Sequence, residues 1–160
     1  MAANIPTFKL TNELTVITGA CGGLSHSIIH SLLAYDAPLA FFDINLQSLA
    51  KTKEDMVSFC IKELNLKSEN IPRMEIYSCD ISNPVEVESA FEKVYKDFET
   101  YPLHLVNTAG YCENFPAEEY PSSNAQRLIQ VNLLGSLFIA QSFAKPLIKN
   151  NIKGGSIVMI

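Results

Sequence analysis

The sequence lacks paired cysteines, a run of basic residues and a low-complexity linker. Its four cysteines, Cys21, Cys60, Cys79 and Cys112, are scattered with no Cys-x-x-Cys spacing, which favours reduced thiols of a cytoplasmic protein. Acidic residues outnumber basic ones and the formal net charge is −5. Without a basic run, we expect neither nucleic acid nor an anionic membrane surface as a partner.

Signals for export, membrane insertion and metal binding are also missing. The start, Met1–Asn4, has no basic and apolar export pattern, and polar residues at Gln130, Asn132 and Gln141 interrupt the longest apolar tract. His26 and His30 lie one helical turn apart, but no third ligand is near them in the sequence, so we predict no metal site. The 160 residues, 48% of them hydrophobic, predict one domain, residues 1–160, with one core.

A glycine-rich segment, residues 16–25, stands between a strand pattern and a helix pattern. Val16 and Ile17 end an apolar run, and from Leu24 the apolar residues follow a helical spacing. Three of the seven glycines lie between the two patterns. The first backbone N–H groups of such a helix are unpaired and carry the positive end of its dipole, which favours a phosphate. A glycine-rich turn without a ligand is the alternative.

An acidic residue follows the second strand pattern. Asp43 comes 20 residues after Gly23, where a dinucleotide site places the acceptor for the ribose hydroxyls. A 2′-phosphate at that point would face a like charge, at a cost of roughly 1–4 kcal/mol, and neither Ile44 nor Asn45 supplies a basic group. These residues predict NAD rather than NADP. The alternative is that Asp43 caps the second helix.

Strand and helix patterns alternate along the whole chain. Strands are predicted before Gly19, at Leu39–Phe42, Met74–Cys79 and Leu103–Asn107, and helices from Leu24, at Leu46–Leu64, from Pro84 and at Ser123–Lys149. The alternation predicts an α/β fold, a Rossmann-type doubly wound parallel sheet. The first and fourth strands belong inside the sheet and the third at an edge. Residues 154–160 begin a fifth strand, and we expect the domain to be truncated there.

The fourth helix is apolar around nearly its whole circumference. Such a helix has to bury more than one face. The sheet covers one face, so the other is expected to contact a neighbouring helix or a second subunit.

Three motifs in order carry a family resemblance. Residues 18–25 are similar to the Thr-Gly-x-x-x-Gly-x-Gly fingerprint of the short-chain dehydrogenase/reductase family, residues 107–110 to its Asn-Asn-Ala-Gly segment, and residues 131–135 to its helical Asn segment. The chain resembles the N-terminal part of that family over its full length. It departs from the pattern at Ser25, where the family has glycine, and at Thr108, where it has asparagine. We expect Ser25 to alter helix–strand packing slightly.

The resemblance implies a site and a cofactor, NAD. The residues expected to bind it are Thr18, Gly19, Gly23 and Leu24 in the first loop, Asp43 at the ribose, Asp80 and Ile81 at the adenine, and Asn107, Ala109 and Gly110 beside the second ribose. Asn132 is implied as a helix-distorting member of the catalytic group, its backbone carbonyl holding a water. The alternatives are a helix-cap turn at Asp80, a plain tight turn at 107–110 and a buried, internally satisfied Asn132. The family also implies a homo-oligomer that packs through the fourth helix.

By resemblance, a C-terminal catalytic part, missing here, carries the family's catalytic Ser and Tyr-x-x-x-Lys. Neither is found in these 160 residues, and none of the six tyrosines has lysine four positions on. The resemblance therefore implies the cofactor-binding half of a polyol dehydrogenase that oxidises D-arabinitol to ribulose, inactive by itself. A non-catalytic nucleotide-binding or subunit-pairing module remains an alternative, and a Rossmann-like methyltransferase a more distant one.

Overall fold

A computed structural model describes residues 9–160; the segment Met1–Asn4, expected to carry no export signal, lies outside them. The strands are β1 (Thr15–Thr18), β2 (Leu39–Asp43), β3 (Met74–Ser78), β4 (His104–Asn107) and β5 (Ser156–Met159). The helices are α1 (Gly23–Ala34), α2 (Leu46–Lys62), α3 (Pro84–Phe98), α4 (Ser122–Ile129) and α5 (Ser136–Lys149), with short 3₁₀ turns at Ser68–Asn70 and Ala117–Glu119.

The five strands form one parallel sheet in the order β3-β2-β1-β4-β5. In its register Ile17 of β1 lies opposite Phe41 of β2 and Val106 of β4. The predicted α/β doubly wound sheet is confirmed, with β1 and β4 inside it and β3 at an edge. Strand order reverses between β1 and β4, so a crevice opens there at the carboxyl ends of the strands.

Helices cover both faces of the sheet because successive strand residues point to opposite sides. Ala40 and Phe42 of β2 pack on one side with residues of α3 and α5. Leu39 and Phe41 pack on the other side with residues of α1 and α2. Cys60 and Cys79 are buried in these two layers, as their apolar surroundings in the sequence predict.

Local polar contacts fix the ends of the helices next to the crevice. The side chain of Asn45 accepts from Ser48 N (3.0 Å) and caps α2, so the hypothesis that Asp43 is this cap is wrong. Asn83 caps α3 ahead of Pro84, accepting from Val85 N (3.1 Å). These caps leave the carboxylates at the ends of the strands available for other contacts.

The predicted fourth helix is continuous but not uniform. It runs from Ser122 to Lys149, and residues Gln130–Gly135 form a π-helical segment between α4 and α5. α5 packs against α3 and β4 through a face that includes Ile139 and Phe143. Five other large apolar side chains of this helix are exposed: Ile129, Leu133, Leu134, Leu137 and Ile148. The structure therefore retains an apolar face that nothing in the described chain covers.

Length and composition would let this helix, Ser122–Lys149, cross a membrane. This result corrects the expectation that Gln130, Asn132 and Gln141 exclude a span on composition alone. The finding is weak for a single helix, because core helices of water-soluble proteins pass the same test. Here one face of α5 lies in the core of the sheet layer.

Candidate functional site

A cavity of about 290 Å³ lies in the crevice at the carboxyl ends of the strands. Six of the predicted site residues line it: Gly19, Asp43, Asp80, Ile81, Ala109 and Gly110. The other predicted residues, Thr18, Gly23, Leu24, Asn107 and Asn132, do not line it. The sequence therefore predicts both aspartates and most of the glycines that line the cavity, but not all of its lining residues.

The glycine loop at the start of α1 packs tightly against the end of β4. Gly19 has φ +63°, and a Cβ built there would lie 2.8 Å from Ala109 Cα, so only glycine fits without strain. The N-cap of α1, Gly22, offers no side-chain hydrogen bond, and the first turn has no acidic residue. A Cβ on Gly23 would meet nothing within 4 Å, and Leu24 is 65% exposed. The positive end of α1 is therefore open to an anion.

The two departures from the family pattern lie against each other. The buried Ser25 hydroxyl donates to the carbonyl of Gly19 (2.6 Å) and contacts the Thr108 hydroxyl. Thr108 in turn donates to the carbonyl of Thr18 (2.7 Å). Ser25 and Thr108 thus compensate each other, and together they hold the glycine loop on the end of β4. The change of helix–strand packing expected at Ser25 consists, in this structure, of hydrogen-bonding contacts from its hydroxyl to the glycine loop and to Thr108 after β4.

Thr18 and Asn107 are buried beneath the cavity and connect it to the π segment. The Thr18 hydroxyl donates to the side-chain oxygen of Asn107. The Asn107 amide donates to Ser136 Oγ (3.0 Å), and Ser136 donates to the backbone carbonyl of Asn132 (2.7 Å). This chain of hydrogen bonds fixes the position of the glycine loop relative to the Asn132 carbonyl. Three of residues 107–110, Thr108, Ala109 and Gly110, line the cavity.

Asp43 faces the cavity from the end of β2. Its carboxylate accepts from the backbone N–H groups of Cys21 and Asn45, each at 3.2 Å, and also from the Cys21 thiol, and its two oxygens retain capacity for a further donor. Burial, with a smaller contribution from the charge of Asp43, raises the pKa of the Cys21 thiol to about 11. Cys21 is therefore neutral at pH 7 and adds no negative charge beside the open end of α1.

Asp80 and Ile81 form the opposite wall, at the end of β3. Asp80 Oδ1 accepts from the backbone N–H (2.9 Å) and hydroxyl (2.6 Å) of Ser82, and Oδ2 accepts from Arg127 (3.1 Å). Burial tends to raise the pKa of Asp80, but the hydrogen bonds from Ser82 and Arg127 and the charge of Arg127 outweigh it, so the pKa lies below its ordinary value. The turn expected as an alternative is present, but Asn83 is the cap. The buried Ile81 packs against Gly135 of the π segment.

Asn132 lies in the π segment, so the distortion of the helix that the resemblance implies is present. Its side chain accepts from Tyr111 N (2.8 Å) and donates to Tyr111 O (2.9 Å). Asn132 is exposed rather than buried among apolar neighbours, so the alternative of a buried asparagine is wrong. The amide holds the loop after β4, and the backbone carbonyl accepts from the Ser136 hydroxyl.

A carboxylate stands in the same loop after β4. Glu113 accepts from the Asn124 amide, and a hydrogen bond from the Tyr111 hydroxyl is the largest of the effects that hold the pKa of Glu113 below its ordinary value. Tyr111 itself lines the cavity. This loop therefore presents an ionised acceptor close to the rim of the site.

Seven further residues line the cavity that were not among the predicted binding residues, although three of them lie in the predicted motifs: Gly22, Thr108 and Val131 in the motifs, and Ile44, Cys79, Tyr111 and Arg127 outside them. Arg127 is the notable one, because a lone basic residue in a helix gives no sequence signal of a partner 47 positions away. Within residues 9–160, no group of three or more His, Cys, Asp or Glu side chains could hold a metal ion.

Comparison with known proteins decides the family. The family model described as short chain dehydrogenase matches residues 13–160. The chain belongs to the short chain dehydrogenase family. It is 51% identical over 160 residues to an NADH-dependent L-xylulose reductase of Ambrosiozyma monospora, covering 100% of this chain and 58% of the relative. It is 40% identical over 157 residues to a ribulose-forming D-arabinitol 2-dehydrogenase of Candida tropicalis, covering 98% of this chain and 55% of the relative.

Solved structures agree on the fold of this short chain dehydrogenase. A crystal structure of NAD⁺-bound xylitol dehydrogenase superposes with a TM-score of 0.80 at 24% sequence identity, covering 94% of this chain and 53% of that one. A short-chain type dehydrogenase/reductase from Mycobacterium marinum gives a TM-score of 0.82 at 18% identity, covering 95% and 56%. The chain thus spans a little over half the length of the relatives and structures that it matches.

Proposed function

We propose that this chain is the dinucleotide-binding part of an NAD-dependent oxidoreductase that interconverts a five-carbon polyol and its ketose. The observation that carries the proposal is the convergence of the open end of α1, Asp43 and Asp80 on one crevice. Two relatives named for a five-carbon polyol or ketose, at 51% and 40% identity, support the substrate class. Oxidation of D-arabinitol at carbon 2 to ribulose is the specific reaction we propose, in the cytoplasm.

The residues of the crevice fit the cofactor. The unpaired amides at the start of α1 suit a pyrophosphate, and the free lone pairs of Asp43 suit the two hydroxyls of a ribose. Asp80 and Ile81 offer an acceptor and an apolar surface for a base. Ala109 and Gly110 keep the end of β4 free of bulky side chains, so that a second ribose has room to approach the backbone.

When NAD is bound, its nicotinamide ring supplies the hydride acceptor. The part of the chain described here orients the reactants: the glycine loop fixes the phosphates and the buried Thr18–Asn107 pair fixes the floor of the site. We propose that the Asn132 carbonyl holds a water in the path of the substrate proton, a role that the π-helical distortion at this residue supports. Glu113, in the loop that Asn132 holds, offers an acceptor to which a sugar hydroxyl could donate.

Replacing Asp43 with alanine is expected to narrow the preference for NAD over NADP, chiefly by weakening NAD binding. The unmodified chain should prefer NAD by at least about fivefold, because the 2′-phosphate of NADP would meet the Asp43 carboxylate at a cost of roughly 1–4 kcal/mol. Calorimetric titration with both dinucleotides measures the two affinities. D55A, which removes an exposed carboxylate of α2, is the matched control and should change neither the NAD nor the NADP affinity. Equal or tighter binding of NADP by the unmodified chain would contradict the proposal.

We also propose that a second copy of the chain covers the exposed apolar face of the helix Ser122–Lys149. Leu137, 49% exposed on α5, is part of this face, whereas Ile61, 44% exposed, lies on α2. Sedimentation velocity at ~10–50 µM, where exposed apolar surface drives association, should show self-association of the unmodified chain. L137K should shift the distribution toward monomer and I61K should not. A monomer at every concentration in this range would refute the idea.

A further inference from the structure

Arg127 of α4 reaches across the crevice to the turn between β3 and α3. One of its terminal nitrogens donates to Ser82 Oγ (3.0 Å) and the other to Asp80 Oδ2 (3.1 Å). Ser82 also donates to Asp80 Oδ1, from both its backbone N–H and its hydroxyl. The three side chains therefore form a closed set of hydrogen bonds at the edge of the cavity, which Asp80 and Arg127 line.

Counting acceptor positions shows what remains free on Asp80. Each carboxylate oxygen accepts about two hydrogen bonds. Oδ1 already accepts two, both from Ser82, and Oδ2 accepts one from Arg127. One acceptor position is left, on Oδ2, and the planar guanidinium together with Ser82 fixes its direction. An unsupported aspartate would rotate and offer either oxygen.

We propose that Arg127 is a positioning residue that makes Asp80 selective for the 6-amino group of adenine. This inference rests on the proposed function, because it concerns the base of the dinucleotide bound in the same crevice. A carboxylate with a single, fixed acceptor position binds a base that donates a hydrogen bond there more tightly than a base that presents a carbonyl oxygen. Hypoxanthine differs from adenine at this edge of the base, since it carries oxygen in place of the 6-amino group and a hydrogen on N1.

A purely structural role for Arg127 predicts something different. The ion pair would then only hold α4 near the β3–α3 turn, and exposed ion pairs contribute little to stability; the side chain of Arg127 is 41% exposed. Loss of such a brace would loosen the crevice for every dinucleotide alike. The ratio of the affinities for NAD and for its hypoxanthine analogue therefore separates positioning from bracing.

The test is calorimetric titration of the 160-residue chain with NAD and with nicotinamide hypoxanthine dinucleotide. In R127Q the preference for NAD should fall about tenfold, through weaker NAD binding. R127K keeps the positive charge but cannot make the two hydrogen bonds of the guanidinium to Ser82 and Asp80, so it should retain part of the preference for NAD. The matched control is R73Q, which also removes an arginine paired with a carboxylate, Glu75 (3.1 Å), at the start of β3. Its preference should equal that of the unmodified chain.

A second variant keeps the test decisive if R127Q does not fold. S82A removes the hydroxyl that donates to Asp80 and accepts from Arg127, so it should lower the preference in the same direction. If R127Q, or S82A in its place, binds NAD with an unchanged preference, or loses affinity for both dinucleotides equally, the inference is overturned while the proposed function stands. If the unmodified folded chain binds neither dinucleotide, the proposed function fails and the inference fails with it.

Discussion

Replacing Gly19 with alanine is expected to lower the free energy of unfolding by about 2–5 kcal/mol and to abolish measurable NAD binding. The left-handed backbone conformation at φ +63° costs a residue with a Cβ about 1–2 kcal/mol. The added methyl group would also lie 2.8 Å from backbone atoms of Ala109, and forced overpacking adds about 1–3 kcal/mol. Neither partner of this contact is a side chain that could rotate away. Urea denaturation measures the change.

Gly23 offers the matched control for Gly19. It lies in the same loop, and a Cβ there would meet nothing within 4 Å. At the first position of α1 alanine is at least as favourable as glycine, so G23A should unfold at the same urea concentration as the unmodified chain or a higher one. If G19A were as stable as G23A, the close packing of the glycine loop on β4 would be wrong.

The fold was predictable because its signals are local. Strands such as Leu39–Asp43 are short apolar runs, and the glycine loop and Pro84 mark where helices begin. The continuous apolar character of β1 and β4 placed them inside the sheet, and the partial alternation of β3 placed it at an edge. In each case the residues that make the signal are close together in the sequence, so no knowledge of the tertiary structure was needed.

The parts of the site that were missed depend on contacts between distant segments. Thr108 and Ser25 were noted as separate departures from a pattern, but only the folded chain shows that they touch. Arg127 became part of the site because the sheet brings the end of β3 beside α4. Asn132 was placed correctly in a distorted helix, whereas its exposure depends on how the loop after β4 folds against it.

We expect the 160-residue chain to bind NAD but not to oxidise D-arabinitol at a measurable rate. Removing hydride from a carbinol carbon requires the hydroxyl proton to leave, and positioned acid–base help with that step contributes typically ~10²–10⁴-fold. No tyrosine of residues 1–160 is followed four positions later by lysine. In the described chain, Glu113 is already engaged by Tyr111 and Asn124, and its lowered pKa makes it a weak base.

The measurement is the appearance of NADH absorbance with D-arabinitol, for this chain and for a chimera that continues after Ile160 with the remaining part of the Candida tropicalis D-arabinitol 2-dehydrogenase. Activity in the chimera alone would agree with the proposal, since the added part supplies proton transfer and further substrate contacts, both of which affect the rate. Equal activity in both would mean that a residue within 1–160 moves the proton, and E113Q would then be the first variant to examine. NAD binding by both with turnover by neither would favour a non-catalytic nucleotide-binding module. The unmodified Candida tropicalis relative, assayed in parallel with D-arabinitol and NAD, shows whether the added part is competent.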